Sequence, residues 1–357
     1  MKNWDVIVIG GGIIGLSLSI ELRKRGATVL IVERREPGRE ASHAAGGMLV
    51  DCLVETPAVL QPLATASARL YPEFAQEIEV ESGMKVDLRD QGTFFFPSTA
   101  NVSHPELQAA TLPAPLAELE PALADFNRPA FLLQERSVDP RALTTAALHA
   151  AKHRGVDISS GDEVTAVDVS SGRVGGVITT KTSFLASKVV NCAGAWSGQI
   201  APHAFPTRPV KGQMLCLVSP SRDLLKHVIR TPEVYLIPRS DGRILVGTTV
   251  EEAGFDKRTD VTTIQRLHRA AIALLPELRN AKLLEDWAGL RPGTPDALPI
   301  LGATATPGYY VATGHFRDGI LLAPITAQVM AEVITGTNCS YDLKPFSAAR
   351  FSKDQAA

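Results

Sequence analysis

The chain opens on Asp5-Val-Ile-Val-Ile-Gly-Gly-Gly-Ile-Ile-Gly15, a segment compatible with very few local architectures. Val6 to Ile9 is a β-branched run, the pattern of a strand buried on both faces of a parallel sheet. It ends in Gly10-x-Gly12-x-x-Gly15, after which Ile14, Leu18 and Leu22 recur at helical spacing. In such a strand–turn–helix the first glycine permits the tight turn and the second lets backbone approach a pyrophosphate. The third lets helix and strand pack closely. The helix N-terminus then presents unpaired N–H groups and the positive end of its dipole to phosphates. Ala27 to Val32 reads as the next strand, and Glu33 follows the middle glycine by 21 positions, where an acid takes ribose hydroxyls. A glycine triplet alone is a weak signal. Strand, triplet, helix, strand and terminal acid in order point to a dinucleotide site rather than a ligand-free glycine turn.

A chain of 357 residues suggests about two domains. Its net charge of −2 leaves no basic surface for nucleic acid and no polybasic segment for anionic membrane. The N-terminus enters its strand at once and carries Asp5, which does not read as a signal peptide. The apolar run Gly319 to Ile334 contains Pro324, Gln328 and Glu332, too short and too polar to span a bilayer. Cys52, Cys192, Cys216 and Cys339 are scattered without a CxxC pair, which suits reduced thiols rather than a disulfide framework or metal site. The expected location is the cytoplasm.

NAD, NADP and FAD all use this opening. Arg34 and Arg35 are placed to meet the 2′-phosphate of NADP, but with Glu33 at the ribose position two solvated arginines are the simpler reading. Further along, Gly161 to Val169 alternates like a strand, Ser171-Gly172 turns it into Val174 to Thr180, and another strand lies near Phe184. Lys188 to Gly194 reads as a buried strand ending in a small-residue turn, with Ala195-Trp196-Ser197 opening a helix. Tyr309 to Ile320 repeats that grammar, with a helix from about Ile320.

Four later segments add to this, the last two much more specific than the glycine triplet: Ser42-His-Ala-Ala-Gly-Gly-Met48, Pro209-Val-Lys-Gly212, Trp287-Ala-Gly-Leu-Arg-Pro-Gly-Thr294 and Gly314-His-Phe-Arg-Asp-Gly-Ile-Leu-Leu-Ala-Pro324. With the opening they make the chain resemble the FAD-dependent amino-acid and amine oxidases of the D-amino-acid oxidase family, the glycine oxidases of thiamine biosynthesis in particular, from Val6 to about Ile334. The resemblance implies FAD, held without a covalent bond. It implies an α/β fold: a three-layer, Rossmann-like FAD-binding domain with an inserted antiparallel-sheet α+β substrate domain. Carried over residue by residue, it puts Gly10, Gly12, Ile13, Ile14, Gly15, Glu33 and Arg34 around adenosine and pyrophosphate. Ala41, Ser42, Gly46, Gly47 and Met48 line the way to the flavin, Val164 meets adenine through its backbone, and Ala193 and Gly194 border the cofactor. His315, Phe316, Arg317, Asp318, Gly319, Ile320 and Leu321 run along the isoalloxazine, and the helix after them aims its positive end at the N1/C2 carbonyl.

The segments are consistent with a discontinuous FAD domain of 1–85, 137–212 and 283–345, a substrate domain of 86–136 and 213–282, and a frayed tail of 346–357. In the substrate domain Val234 to Thr248 reads as a hairpin turning at Ser240-Asp241-Gly242, Thr262 to Leu275 as a helix, and 97–129 as loop with short helix.

The implied chemistry needs no protein acid–base pair. The α-hydrogen of a neutral amine leaves as hydride to flavin N5, oxygen takes the electrons to peroxide, and the imine hydrolyses. The protein mainly orients a small amino acid or amine. Arg291 is the expected carboxylate clamp, against the alternative of an ion pair with Glu285, Asp286 or Asp296. Tyr235 matches a family tyrosine that shares the carboxylate, or is simply a strand aromatic, and Arg317 is a substrate residue or a loop anchor. Glu233 stands at a pocket edge where relatives carry histidine, and Val250 at a pocket-side position. His43, directly before Ala44-Ala45-Gly46, matches a histidine that tethers flavin in some relatives, or is a polar loop residue. A dehydrogenase of the same fold, and a non-catalytic flavoprotein, are the competing functions. The family also implies a homo-oligomer, often a tetramer.

Overall fold

The computed structural model describes residues 2–51, 55–98, 107, 110, 112–124, 126, 128–219 and 221–351; Cys52 and the last tail residues lie outside them. Two sheets organise the described chain. The first has eight strands, in the order Ile300–Ala303, Tyr309–Thr313, Ser183–Asn191, Asn3–Ile9, Val29–Glu33 and Asp157–Ser160, with the hairpin Val164–Ser170/Arg173–Thr179 attached to Ser183–Asn191. Its centre is parallel: Val6 to Ile9 lie beside Val29 to Val32 on one side and Lys188 to Asn191 on the other.

The β-branched opening is explained by what covers each face. Val6 and Val8 pack with Val29 and Ile31 beneath helices Ile13–Lys24, Gln61–Ser82, Pro140–His153 and Ala323–Thr335. Ile7 and Ile9 pack on the opposite face against Val164, Val167, Val174 and Val177 of the hairpin. Helices, parallel sheet and hairpin are thus the three layers, and apolar side chains are needed on both sides of the middle one.

The second sheet has seven strands, ordered Lys282–Gly293, Arg208–Val218, Arg243–Gly247, Tyr235–Pro238, Val228–Arg230, Thr93–Phe95 and Phe131–Leu133. One pair, Val228–Arg230 with Thr93–Phe95, is parallel, and the other pairings are antiparallel. One face buries Leu215, Leu217, Leu236 and Val246 under helix Val261–Leu274, which Asp260 caps through the Thr263 N–H at 2.7 Å. On the other face Met214, Tyr235 and Trp287 gather with Met48, from the short strand Met48–Leu49 that pairs with Arg136–Ser137.

Several details differ from expectation. The strands Arg208–Val218 and Lys282–Gly293 pair along most of their length, so both belong wholly to the second sheet and the divisions at 212 and 283 do not coincide with sheet membership. Ala195 lies in a six-residue 3₁₀ turn, Gly194–Gln199, rather than at the start of a long helix. The last long helix starts at Ala323, with Pro324 in its first turn, because turns occupy 316–317 and 319–322. Phe346 is 2% exposed and Arg350 pairs with Asp296, which ties down the described part of the tail. Cys192, Cys216 and Cys339 are free thiols, and among the described residues no helix is long and apolar enough to cross a membrane.

Candidate active site

A cleft of about 750 Å³ runs between the sheets, from Glu33 at one end to Arg291 at the other. At the first end the glycines hold a turn that side chains would block. Gly10 has φ +103°, and a Cβ there would lie 2.6 Å from the Cys192 carbonyl oxygen. A Cβ on Gly15 would lie 2.0 Å from the Gly10 carbonyl oxygen, so Gly15 sits beneath the turn, where helix meets strand, and outside the cleft lining. Gly10, Gly12, Ile13 and Ile14 line the cleft, and the Ile13 N–H donates to Ser42 Oγ at 3.0 Å. The buried Glu33 carboxylate accepts from the Gly11 and Arg35 N–H groups at 2.8 and 3.0 Å. Arg34 lies 3.5 Å above the Trp196 ring and pairs with Glu40 at 2.8 Å, so the flanking arginine is engaged as a stacking group. Val164, Ala193 and Gly194 complete this end.

Ala41, Ser42, Gly46, Gly47 and Met48 line the middle of the cleft. Gly47 has φ +77°, and a Cβ there would meet the Val138 carbonyl oxygen at 2.0 Å. The Gly46 carbonyl accepts from Nη2 of the fully buried Arg239 at 2.6 Å. His315 to Ile320 also line the cleft. His315 is buried with Nε2 3.1 Å from Thr326 Oγ1, and burial pulls its pKa down to about 3, so the ring is neutral. Burial pushes the Asp318 carboxyl up to about 6, a shift that the Arg317 charge opposes and Glu55 reinforces. Leu321 is outside the lining: its side chain is in the helical core, and its carbonyl accepts from Ser67 Oγ at 2.6 Å.

Arg291 stands at the far end on the Lys282–Gly293 strand. Its Nη1 donates to the Thr249 carbonyl at 3.1 Å and its Nη2 to Thr248 Oγ1 at 3.0 Å. Among the described residues it is in no ion pair. Glu285 is held by Arg141 at 2.5 Å and Asp296 by Arg350 at 2.8 Å, so neither serves as its partner. Burial lowers the Arg291 pKa, Tyr235 and the Glu251 carboxylate raise it, and the Arg317 charge lowers it further. Burial raises the Tyr235 phenol, opposed by the Arg291 charge. Two glycines make the space: a Cβ on Gly212 would lie 2.3 Å from Arg291 Nη1, and one on Gly247 would lie 2.8 Å from the Tyr235 hydroxyl. Arg317 lines the cleft, is exposed and is in no ion pair among the described residues.

Of three further positions, Glu233 stands at the cleft as expected and Val250 does not, while His43 lies apart from it. Glu233 lines the outer edge of the cleft and pairs with Arg128 at 3.3 Å. Val250 is 52% exposed and outside the lining. His43 borders a separate, smaller cavity with Lys257 and Asp286, while its neighbours Ser42 and Ala44 line the large cleft. Residues that sequence reasoning missed include Trp196, Thr248 and Arg230, the last bound to Glu135 at 2.9 Å within the cleft wall. Trp196 carried a usable signal, since it is one large aromatic in the small-residue turn Ala193-Gly-Ala-Trp-Ser197.

The arrangement fits FAD. At Gly194, φ +56°, an added Cβ would meet no atom within 4 Å, leaving open space where a ligand can approach backbone. The helix from Ile13 directs its first N–H groups at the same end, beside a ribose-type carboxylate.

The comparisons agree. The DAO family of FAD dependent oxidoreductases matches residues 5–333. Hydrogen cyanide synthase subunit HcnC of Pseudomonas aeruginosa is 32% identical over 410 positions, covering 100% of this chain and 98% of that protein. The bifunctional protein ThiO/ThiG of Trichormus variabilis is 34% identical over 363 positions, covering 98% of this chain, which spans 55% of that longer protein. The crystal structure of glycine oxidase from Geobacillus kaustophilus superimposes with a TM-score of 0.92 at 30% identity, covering 98% of this chain and 99% of that one. Cleft, fold and family match lead to one assignment: the chain belongs to the DAO family of FAD-dependent oxidoreductases and is a glycine oxidase-like enzyme.

Proposed function

We propose that the enzyme oxidises glycine, sarcosine and other small amines or D-amino acids. Amino acid, oxygen and water give the oxo acid, ammonia or amine, and hydrogen peroxide, and the product feeds thiamine biosynthesis. The observation that carries this reading is Arg291: a half-buried guanidinium, in no ion pair among the described residues, lining the same end of the cleft as Tyr235, with Gly212 and Gly247 leaving the room these two side chains occupy. A substrate carboxylate supplies the partner the site lacks, accepting from the guanidinium and the phenol together. Thr248 and the Thr249 carbonyl hold that guanidinium by its two terminal nitrogens, so the clamp is oriented before substrate arrives. We place the adenosine of FAD beside Glu33 and Arg34, and the flavin along Gly46 to Met48 and His315 to Ile320. FAD, when bound, supplies the two-electron oxidation. The protein's part is to fix the α-carbon over the ring and to keep His315 neutral.

The test is an anaerobic screen of the purified flavoprotein with glycine, sarcosine, D-alanine, D-proline and N-ethylglycine, followed by peroxide measurement under air. Bleaching of the flavin by glycine or sarcosine, with peroxide formed stoichiometrically, is the expected outcome. Bleaching without peroxide makes the enzyme a dehydrogenase. No bleaching by any of the five removes the reading.

A further inference from the structure

The loop that begins with Thr248 and Thr249, which hold Arg291, goes on to bridge the two sheets at the nucleotide end. Residues 248–260 leave the Arg243–Gly247 strand and return into the Val261–Leu274 helix. Two buried side chains of the Arg208–Val218 strand, Lys211 and Gln213, hold the feet of this loop. The Gln213 amide nitrogen donates to Glu251 at 2.9 Å, and its carbonyl accepts from the Asp260 N–H at 2.7 Å. Lys211 Nζ donates to the Arg258 carbonyl at 2.5 Å, and its backbone exchanges two hydrogen bonds of 2.9 Å with Glu251. A loop pinned at both ends by buried groups projects its tip to a fixed place.

The tip meets the other layer twice. The Phe255 ring lies 5.2 Å from Trp196 at an interplanar angle of 32°. Lys257 Nζ lies 2.8 Å from Glu40. Trp196 and Glu40 are in turn the two groups that hold Arg34, one by stacking at 3.5 Å and the other by an ion pair at 2.8 Å. Trp196, Glu40 and Arg34 line the cleft, whereas Phe255 and Lys257 stand behind them and outside the lining. Phe255 is 42% exposed, so it contributes little to any core.

We propose that Phe255 and Lys257 are cofactor-positioning residues: a strap from the inserted domain that presses the Arg34–Trp196 pair against the adenosine and slows the release of FAD. The proposal rests on the placement of the adenosine at the Glu33–Arg34 end. Aromatic and cation–π contacts are directional, so losing the outer partner frees the inner one to rotate away from a ligand.

The experiment uses the holoenzyme. FAD release is followed by the recovery of flavin fluorescence after dilution, and global unfolding by circular dichroism in excess FAD. Phe255→Ala and Lys257→Met are each expected to speed release about tenfold, with the unfolding midpoint in excess FAD within ~2 °C of the wild type; tenfold in a rate is about 1.4 kcal/mol. Phe255→Tyr and Lys257→Arg are expected to restore slow release. Release within twofold of wild type in both disruptive variants overturns the proposal. So does faster release accompanied by a matching fall of the midpoint, which is general destabilisation. A Glu33→Ala enzyme that retains FAD as tightly as the wild type overturns the placement of the adenosine, and the strap with it.

Discussion

Gly212 and Arg291 meet so closely that the missing side chain of one is the room occupied by the other. A Cβ at position 212 would stand 2.3 Å from Nη1 and 2.5 Å from Nη2 of Arg291, and the atoms that must yield are the end of a flexible side chain. Gly212→Ala is therefore expected to fold normally but to displace the guanidinium, raising the KM for glycine by about 10-fold or more, since a shift of about 1 Å in a positioning group can cost up to 10². Steady-state kinetics beside a thermal unfolding curve checks this; an unchanged KM would mean that Arg291 is not the clamp. Arg291 itself is legible in Trp287-Ala-Gly-Leu-Arg-Pro-Gly, but what holds it is not. Thr248 and Thr249 come from a strand end 43 and 42 residues earlier, and nothing in their local sequence marks them as its partners. Trp196 stands out locally in its small-residue turn, but the partner that engages it, Arg34, folds onto it from a distant strand end.

Helix Pro140–His153 shows how an element can carry a charge network as well as a core face. Asp139 caps it by accepting from the Arg141 and Ala142 N–H groups at 2.9 and 3.2 Å, while its other oxygen takes Arg243 at 2.8 Å. Burial works against ionisation of Asp139, but Arg239, the Ala142 N–H and Arg243 outweigh it and hold the carboxyl below its ordinary value. Asp139→Ala removes cap and counter-charge together, with an expected loss of about 2–4 kcal/mol from an N-cap and a broken buried pair. Asp139→Asn keeps a capping oxygen and should lose less. Because the folded pKa is depressed, this stabilisation is complete above the ordinary value of 3.8 and is lost as pH falls through the lower, folded one. Urea unfolding between pH 3 and 6 checks both statements; equal stability of the two variants would deny the cap its share. The periodic helices were readable, Thr262 to Leu275 falling within one residue of Val261–Leu274. The 22-residue helix Gln61–Ser82 was not, because its buried stripe of Leu63, Ser67, Tyr71, Ala75 and Ile78 contains a serine and an alanine, and Pro72, which usually ends a helix, lies inside it.

On the scale of the whole molecule, the nucleotide end was the most legible part, because strand, glycines, helix and Glu33 lie within 33 consecutive residues. The sheet boundaries were not, since Arg208–Val218 and Lys282–Gly293 recognise each other by register across a long stretch of chain. That pairing sets Val210 opposite Arg291 and so builds the Arg291 end of the cleft from two segments remote in sequence. In the proposed function the cleft joins a cofactor end to a carboxylate clamp. The most direct test is an anaerobic titration of the FAD-loaded wild type and Arg291→Ala with glycine, following flavin absorbance. The account predicts that the variant needs about 10²-fold more glycine for half-reduction, since a charge-assisted hydrogen bond is worth about 1.5–3 kcal/mol. Superimposable titration curves would contradict it.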